Sequence, residues 1–460
     1  MTEQENRNLE EKETKNKFWK GVLVGALVTA FSGLIAVGMA AGIWIVARGA
    51  NSSNSAQASD QANGLDMAKI GPKLSYIQQL IDQYYLFLDD EESEPEDPVE
   101  WMYRGYVYSL GDPYSTYYTA EEYQSVEESN EGEYCGIGVQ VSQNVYTGTI
   151  TVVKVFKGTP AEKAGMLPGD VITGVGDVNV EGMDLSLLVS DYIKGEEGTE
   201  VSITVYREST DDFVDMTMKR AIVQNPTVEY TMLDDQIGYI SISTFEEVTA
   251  EQFKKAVDDL EGKGARGLIL DLRNNGGGVV TSAKAISDYV LPDGDTIVSF
   301  KGKGVPDSSF AAEDGHQVDI PIVVLVNEQS ASAAEVVTGA LKDNDRALVL
   351  GTRTFGKGIA QGIYPLPDGS AVKLTTSYYY VPSGECIHGE GIEPDLEVEL
   401  KDELKSMIEI PKEEDNQLQA AISVLTDGEE ATRERLEQEA AAAEMAEAEA
   451  ETETEAGAAD

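Results

Sequence analysis

Histidine and cysteine are nearly missing from this chain, with two of each in 460 residues. Two thiols, Cys135 and Cys386, build neither a disulfide scaffold nor a four-cysteine zinc site. Their separate sequence regions leave a single bridge between them open. His316 and His388 stand in no HExxH or comparable setting, so no metal is expected. Basic residues are also scarce: 34 Lys+Arg face 83 Asp+Glu, a formal charge of −49. So acidic a chain repels phosphate backbones, which excludes nucleic acid as a partner.

What is present argues for folded domains. Hydrophobic residues make up 41% and glycine fills 44 positions, values too ordinary for a disordered polymer. The length suffices for about three cores. The acid is partly localised. Lys401 to Asp460 carries 19 acids and five bases, and Asp89 to Glu100 carries eight acids and no base, which leaves −27 for the rest.

Residues 21–47 form a 27-residue stretch without a charge. A spanning helix needs about 20 apolar residues, whereas a signal-peptide core has only ~7–15. A cleaved signal ending near Met39-Ala40-Ala41 is the rival reading. Arg7, Lys12, Lys15, Lys17 and Lys20 precede the stretch and only Arg48 follows closely. The positive-inside rule then puts 1–20 in the cytoplasm as a tail and the body outside, on a single-pass anchor in the cell membrane. Residues 48–64 are small and polar, a linker.

Further along, the periodicity changes twice. Ile70, Leu74, Ile77, Leu80, Ile81 and Tyr84 recur at helical spacing and open a helical region over 65–133, interrupted by the acidic insert 89–98. From Tyr134 short alternating strands take over, at 137–141, 150–155 and 201–206, with a short helix at 160–164. Between 237 and about 380 strands alternate with helices, so a layered α/β domain is expected over 223–430. The Ala/Glu-rich segment 431–460 has helical composition but no apolar stripe and reads as a solvated or disordered tail.

Four motifs carry chemistry. Gly136 and Gly138 flank Ile137 ahead of Val139 at a strand start, where backbone N–H groups converge on an anion such as a C-terminal carboxylate; two glycines there also make a plain bulge. Ser332 lies where a buried strand turns into a helix, and the helix N-terminus can hold an oxyanion. A serine at such a place also serves as a simple cap. Gly351 to Gly358 nearly matches a phosphate-binding loop, but Gly358 stands where Mg²⁺ needs a hydroxyl, and turn and strand follow instead of a helix. Lys357, set between glycines beside Phe355, could instead be desolvated toward the pKa of ~7–8 that a general base needs, or remain a surface lysine. Asp271 to Gly278 runs a strand into three glycines, which lets amides approach a reacting carbonyl closely; a plain tight turn is the alternative.

Together the motifs resemble the C-terminal processing peptidases, the tail-specific S41 serine peptidases. S-A-S-A-x-E is met at Ser330 to Glu335, G-K-G-x-x-Q at Gly356 to Gln361, and D-L-R-N-N-x-G-G at Asp271 to Gly278. Residues 134–222 resemble a PDZ domain of the bacterial processing-protease type, through the glycine pair and Thr159 to Asp170. The expected fold class is α/β, with the single N-terminal transmembrane helix and helical N-terminal region read above and, as the resemblance implies, a β-rich PDZ domain and a layered, ClpP/crotonase-like protease core. It implies Ser332 as nucleophile, Lys357 as general base, Gln361 as its support, and the oxyanion donors Ala333 and one of Gly277 and Gly278. Gly136, Ile137, Gly138 and Val139 would bind the peptide tail. No cofactor is implied, since a Ser-Lys dyad needs none, and both histidines are left structural. The expected partners are C-terminal tails of extracytoplasmic proteins and, through the N-terminal helix, the membrane; a homo-oligomer stays open. The competing reading is a catalytically inert, membrane-anchored PDZ adaptor.

Overall fold

The computed structural model describes residues 67–88, 97–407, 410–439 and 441. The described residues form two units, a smaller one of 67–123 with 363–374 and a larger one of the remainder from 124 onward. Residues 1–20, expected as a cytoplasmic tail, 48–64, expected as a linker, most of the acidic insert and 442–460 lie outside the described residues.

The smaller unit carries α1 (Met67–Tyr84), α2 (Pro98–Tyr108) and β1 (Thr116–Tyr118). Asp97 caps α2 by accepting from the Val99 N–H, and Pro98 occupies the first turn, where a missing N–H costs nothing. β1, which the helical spacing hid, pairs antiparallel with 371–373. Lys373 there is 6% exposed, with Nζ 5.3 Å from the centre of the Tyr118 ring. Burial lowers its pKa to about 8, against the opposing pull of the Asp112 carboxylate. The unfolded chain therefore binds more protons between about pH 8 and 10, and stability rises with pH in that window. In denaturant melts the wild type is expected to gain roughly 2 kcal/mol across it, and Lys373→Met to gain none of that. Parallel curves for the two proteins would contradict the assignment.

The larger unit begins as α3 (Ala120–Glu131) leads into a β-rich domain. Its strands are β2 (Glu133–Gly136), β3 (Val139–Gln143), β4 (Ile150–Val155), β5 (Val171–Val175), β6 (Val178–Asn179), β7 (Glu200–Arg207), β8 (Asp212–Lys219) and β9 (Ala221–Gln224). Two helical pieces accompany them: α4 (Pro160–Ala164), and α5, which starts as Leu185–Leu187 and continues as a π turn over Leu188–Ile193. The main sheet runs β3-β4-β5-β7-β8, with β6 beside β5, so β3 and β8 are its edges. Ile137, Ile150, Ile172, Leu188 and Ile203 fill its core.

The second domain is layered. β10 (Val228–Met232), β11 (Ile237–Ile242), β12 (Gly267–Asp271), β15 (Ile322–Val326), β16 (Ala347–Gly351) and β19 (Leu396–Glu397) form one sheet in that order, parallel throughout except for β10. Successive residues point to opposite faces. Leu268 and Leu270 of β12, with Ile322, Val324 and Val326 of β15, therefore meet the face of α6 (Thr249–Gly262), α7 (Val280–Val290) and α8 (Ala333–Asp343). Ile269, Val323 and Leu325 meet α9 (Asn416–Asp427) on the other face. That two-sided burial explains why these strands read as unbroken apolar runs. Beside the sheet, β13 (Thr296–Gly302) pairs with β14 (Ser308–Ala311) and with 377–380, the far end of β18 (Ala371–Tyr380); β17 (Ile359–Pro365) precedes it.

Two expectations are corrected. Among the described residues no helix is long and apolar enough to cross a membrane. The 18-residue α1 has the length but carries Lys69, Lys73 and Asp82. The fold class is corrected accordingly to α/β, with a helical N-terminal region, a β-rich domain and a layered α/β domain; residues 21–47 lie outside the described residues. The acidic tail is also not uniformly solvated, because 429–439 continue as a helix, α10. Thr432 is fully buried there and bonds the Ser423 hydroxyl, Leu436 packs on the α9 core, and Arg433 donates to the Asp395 carbonyl. These few anchors fall below what an apolar-stripe criterion registers.

Candidate active site

Three neighbouring parallel strands, β12, β15 and β16, end at the same edge of the sheet, the edge where open α/β sheets place their ligands. The loop after β12 carries Gly277 and Gly278, the one after β15 carries Ser332, and the one after β16 carries Lys357. Strand order thus brings together residues up to 80 positions apart in sequence.

Ser332 is the residue just before α8, held at φ 55, ψ −113 and 6% exposed. A side-chain-bearing residue at positive φ costs about 1–3 kcal/mol and persists only where its surroundings enforce it. The next residue, Ala333, opens the helix, so its N–H lies among those with no intrahelical acceptor. Ser330 is placed differently. It is fully buried, its hydroxyl donates to the Leu272 carbonyl at 2.8 Å, and it accepts from the Asn327 N–H at 2.9 Å. Ser330 therefore braces the turn. Ser330→Ala is expected to cost about 1–3 kcal/mol of stability while Ser332 still reacts with a serine-directed phosphonate, read by intact mass. Loss of the adduct from the folded variant would contradict that division of roles.

Glu335, one turn into α8 and fully buried, ties the serine turn to the lysine loop. Its Oε2 accepts from the Ser332 N–H (2.9 Å) and the Lys357 N–H (2.8 Å); its Oε1 accepts from the Thr354 hydroxyl (2.6 Å) and the Gly356 N–H (2.7 Å). Burial pushes its pKa up, and these four donors oppose the rise. Beneath them the Tyr379 hydroxyl donates to the Ser332 carbonyl at 3.2 Å. Its own pKa is raised by burial first and then by the charge of Glu335.

Lys357 is 3% exposed. Gly356 and Gly358 on either side are pressed against the backbone of 387–391, so closely that a Cβ would meet Gly391 N at 2.7 Å or His388 N at 2.5 Å. The chain then enters β17, a strand where a nucleotide-binding loop would open a helix. Gln361 lies on that strand, 7% exposed, with its amide donating to the Thr375 hydroxyl at 3.2 Å. His388 stacks its edge on Tyr378, and His316 lies flat on Tyr289. Cys135 and Cys386 are free thiols.

The glycine loop is pinned against the serine turn. Asn274 and Asn327 exchange reciprocal bonds. The Ala331 N–H donates to the Asn275 carbonyl, and buried Asn275 donates to the Ile242 carbonyl. Gly277 approaches so closely that a Cβ would fall 2.8 Å from that of Ser332 and 2.9 Å from the Ala333 nitrogen. Its N–H, however, donates to Asn275 Oδ1 at 2.8 Å. Gly278 differs, since its N–H donates no hydrogen bond among the described residues. Further back, Arg273 forks onto Asp271 and Asp415 and reaches Gln417, which fastens the loop to the start of α9. Breaking so buried a network by Asp415→Ala is expected to cost about 3–5 kcal/mol, measured by denaturant melts; a change below 1 kcal/mol would contradict its structural weight.

The PDZ-type groove is a cavity of about 640 Å³. The free edge of β3 forms one wall and Val189 and Ile193 of α5 the other. Ile137, Gly138 and Val139 line it, whereas Gly136 lies in β2 outside the lining. Gly138 has φ 84 and Thr159 packed on its Cα, so a side chain there would both strain and clash.

Comparison with known proteins agrees with both halves. A family model for the PDZ domain matches residues 135–218, and one for Peptidase family S41 matches 236–398. The carboxy-terminal processing protease CtpA of Bacillus subtilis (strain 168) is 38% identical over 328 residues, covering 71% of this chain and 68% of that one. The chain belongs to peptidase family S41. It is a serine-type peptidase with a PDZ domain. The carboxy-terminal-processing protease of Bartonella bacilliformis is also 38% identical, over 69% of this S41 chain and 72% of its own. The probable CtpA-like serine protease of Staphylococcus aureus (strain MSSA476) is 36% identical, over 73% and 66%. Among solved structures, the photosystem II D1 C-terminal processing protease aligns at 27% identity over 76% of this chain and 91% of its own, with a TM-score of 0.43.

Sequence reasoning passed over the residues that hold these loops: Glu335, Tyr379, Asn275, Asn327 and Asp415. Glu335 was visible as the last letter of S-A-S-A-x-E, and a capping-box position three residues after a serine was the signal available for it.

Proposed function

We propose that this S41 peptidase captures the C-terminus of a protein substrate in the PDZ groove and cleaves a peptide bond with a Ser-Lys dyad. The tail adds as a strand along β3, with its carboxylate near the Ile137 and Gly138 amides. Ser332 Oγ attacks the scissile carbonyl as Lys357 takes the hydroxyl proton. The ammonium so formed protonates the leaving amine, and water then releases the acyl group from Ser332. Ala333 N–H and Gly278 N–H hold the oxyanion, with Gly277 preserving the close approach. Gln361 orients the lysine. The observation that carries this reading is the shared Glu335 carboxylate, which fixes the backbone of Ser332 and Lys357 from one group. Near-complete burial of Lys357 on the same carboxylate-anchored loop supports it.

The test is cleavage of a fluorogenic peptide ending in an apolar residue, against its C-terminally amidated twin. The free acid is expected to be cut with at least a tenfold higher kcat/KM, at a rate that rises on the alkaline side. Equal rates for the two peptides would overturn tail capture. An inflection near pH 6.5 that vanished on replacing His388 would overturn the lysine base.

A further inference from the structure

One cleft runs against the charge of the whole molecule. It measures about 1110 Å³, and Lys154, Lys157, Lys163, Lys219, Arg220 and Lys255 line it without a single Asp or Glu. The chain as a whole has 83 acids against 34 bases, so an acid-free concentration of six bases is not a sample of the average surface. Carboxylates offset this charge only from outside the lining, where Glu162 accepts from the Gly158 N–H and Asp259 lies within electrostatic reach of Lys255. Lys154 pairs with Glu229. Arg220 donates to the carbonyls of Tyr192, Ile193 and Glu200, which satisfy its N–H groups without cancelling its charge. Lys157, Lys163, Lys219 and Lys255 make no ion pair among the described residues. Like charges gathered in a concave wall focus a positive potential and call for an anion.

The same chain contains a matching polyanion. Beyond α10, residues 440–460 carry seven acids and no base. Glu447, Glu449, Glu451, Glu453 and Glu455 alternate with Ala and Thr. In an extended strand, alternate residues share one face and repeat every ~6.6–6.8 Å. The sequence pattern thus offers five carboxylates at a regular two-residue spacing, separated by small residues. Reach is ample, because 21 residues extend to about 70 Å and a compact body of some 300 residues measures roughly 50 Å across.

We propose that the basic cleft holds the chain's own acidic C-terminal segment, residues 444–460. One wall comes from the PDZ domain, through α4 and the end of β8, and the other from α6 and β10 of the protease core. A docked segment therefore ties the two domains together. Lys154 and Phe156 line both this cleft and the tail groove, so the segment lies next to the substrate site without occupying it. Each exposed ion pair is weak and screened by salt, so docking depends on the whole row.

Lysine footprinting of the full chain with an acylating reagent tests this independently of any peptidase activity. Wild type is compared with a variant carrying Glu→Gln at 447, 449, 451, 453 and 455, substitutions outside the folded body. Lys157, Lys163, Lys219 and Lys255 are expected to react at least threefold faster in the variant at about 20 mM salt, with Lys301 unchanged. The difference should collapse by about 500 mM salt. Carbodiimide cross-linking of a mixture of isotopically light and heavy wild-type chains is expected to join the tail glutamates to these lysines within one chain. Unchanged lysine reactivity would overturn the proposal, and so would light–heavy cross-links, which assign the cleft to the tail of a second copy.

Discussion

Ser332→Ala and Lys357→Ala are each expected to lower kcat on a tail substrate by about 10⁴-fold or more, with the double variant no worse than the single ones. A nucleophile and its base act as one unit, so removing either removes nearly the whole covalent route. Neither substitution should unfold the protein. Ser332 is braced through its backbone, by Glu335 and Tyr379, and Lys357 through its N–H on Glu335. Truncating either side chain keeps those bonds, and removing the strained serine's hydroxyl leaves the φ 55 backbone to the same supports. Binding of an uncleaved tail peptide should persist, because the groove residues Ile137, Gly138 and Val139 belong to the other domain. A double variant with a loss equal to the product of the single losses would mean that the two residues act separately.

Replacing Glu335 is expected to do what the dyad substitutions do not, losing activity and stability together. Four donors converge on its fully buried carboxylate. Glu335→Ala strands them, at about 1–3 kcal/mol for each buried group left unsatisfied. A total above about 4 kcal/mol is expected even after water enters the space. Glu335→Gln keeps the shape but turns an NH₂ donor onto donors, so it rescues little. Denaturant melts and kcat on the same preparations separate the outcomes. A stable Glu335→Gln enzyme with near-normal kcat would show that the carboxylate does not hold the two loops in register.

The sequence made the loops legible, but not their fastening. Ser332, Lys357 and Gly277/Gly278 stood out because strand-to-helix turns, glycine pairs and small residues leave local signatures. The central sheet was readable from apolar runs such as 322–326, because both its faces are covered. β1, β10 and β19 were not, since short edge pairings are set by tertiary neighbours more than by their own pattern. Pairings such as Arg273 with Asp415, 142 residues apart, have no local signature either. No local pattern shows either that the Asn275 side chain takes up the Gly277 N–H, a contact only the folded loop makes. Helix α10 was hidden for a related reason: three anchoring residues in an Ala/Glu-rich segment give no stripe.

The most direct test of the dyad is labelling by a fluorophosphonate, followed by intact and peptide mass spectrometry, in wild type, Ser330→Ala, Ser332→Ala and Lys357→Ala. The account predicts one adduct per chain, on Ser332, retained in Ser330→Ala, absent in Ser332→Ala, and formed at least 100-fold more slowly in Lys357→Ala. An adduct on another residue, or Ser332 labelling at the wild-type rate without Lys357, would contradict it.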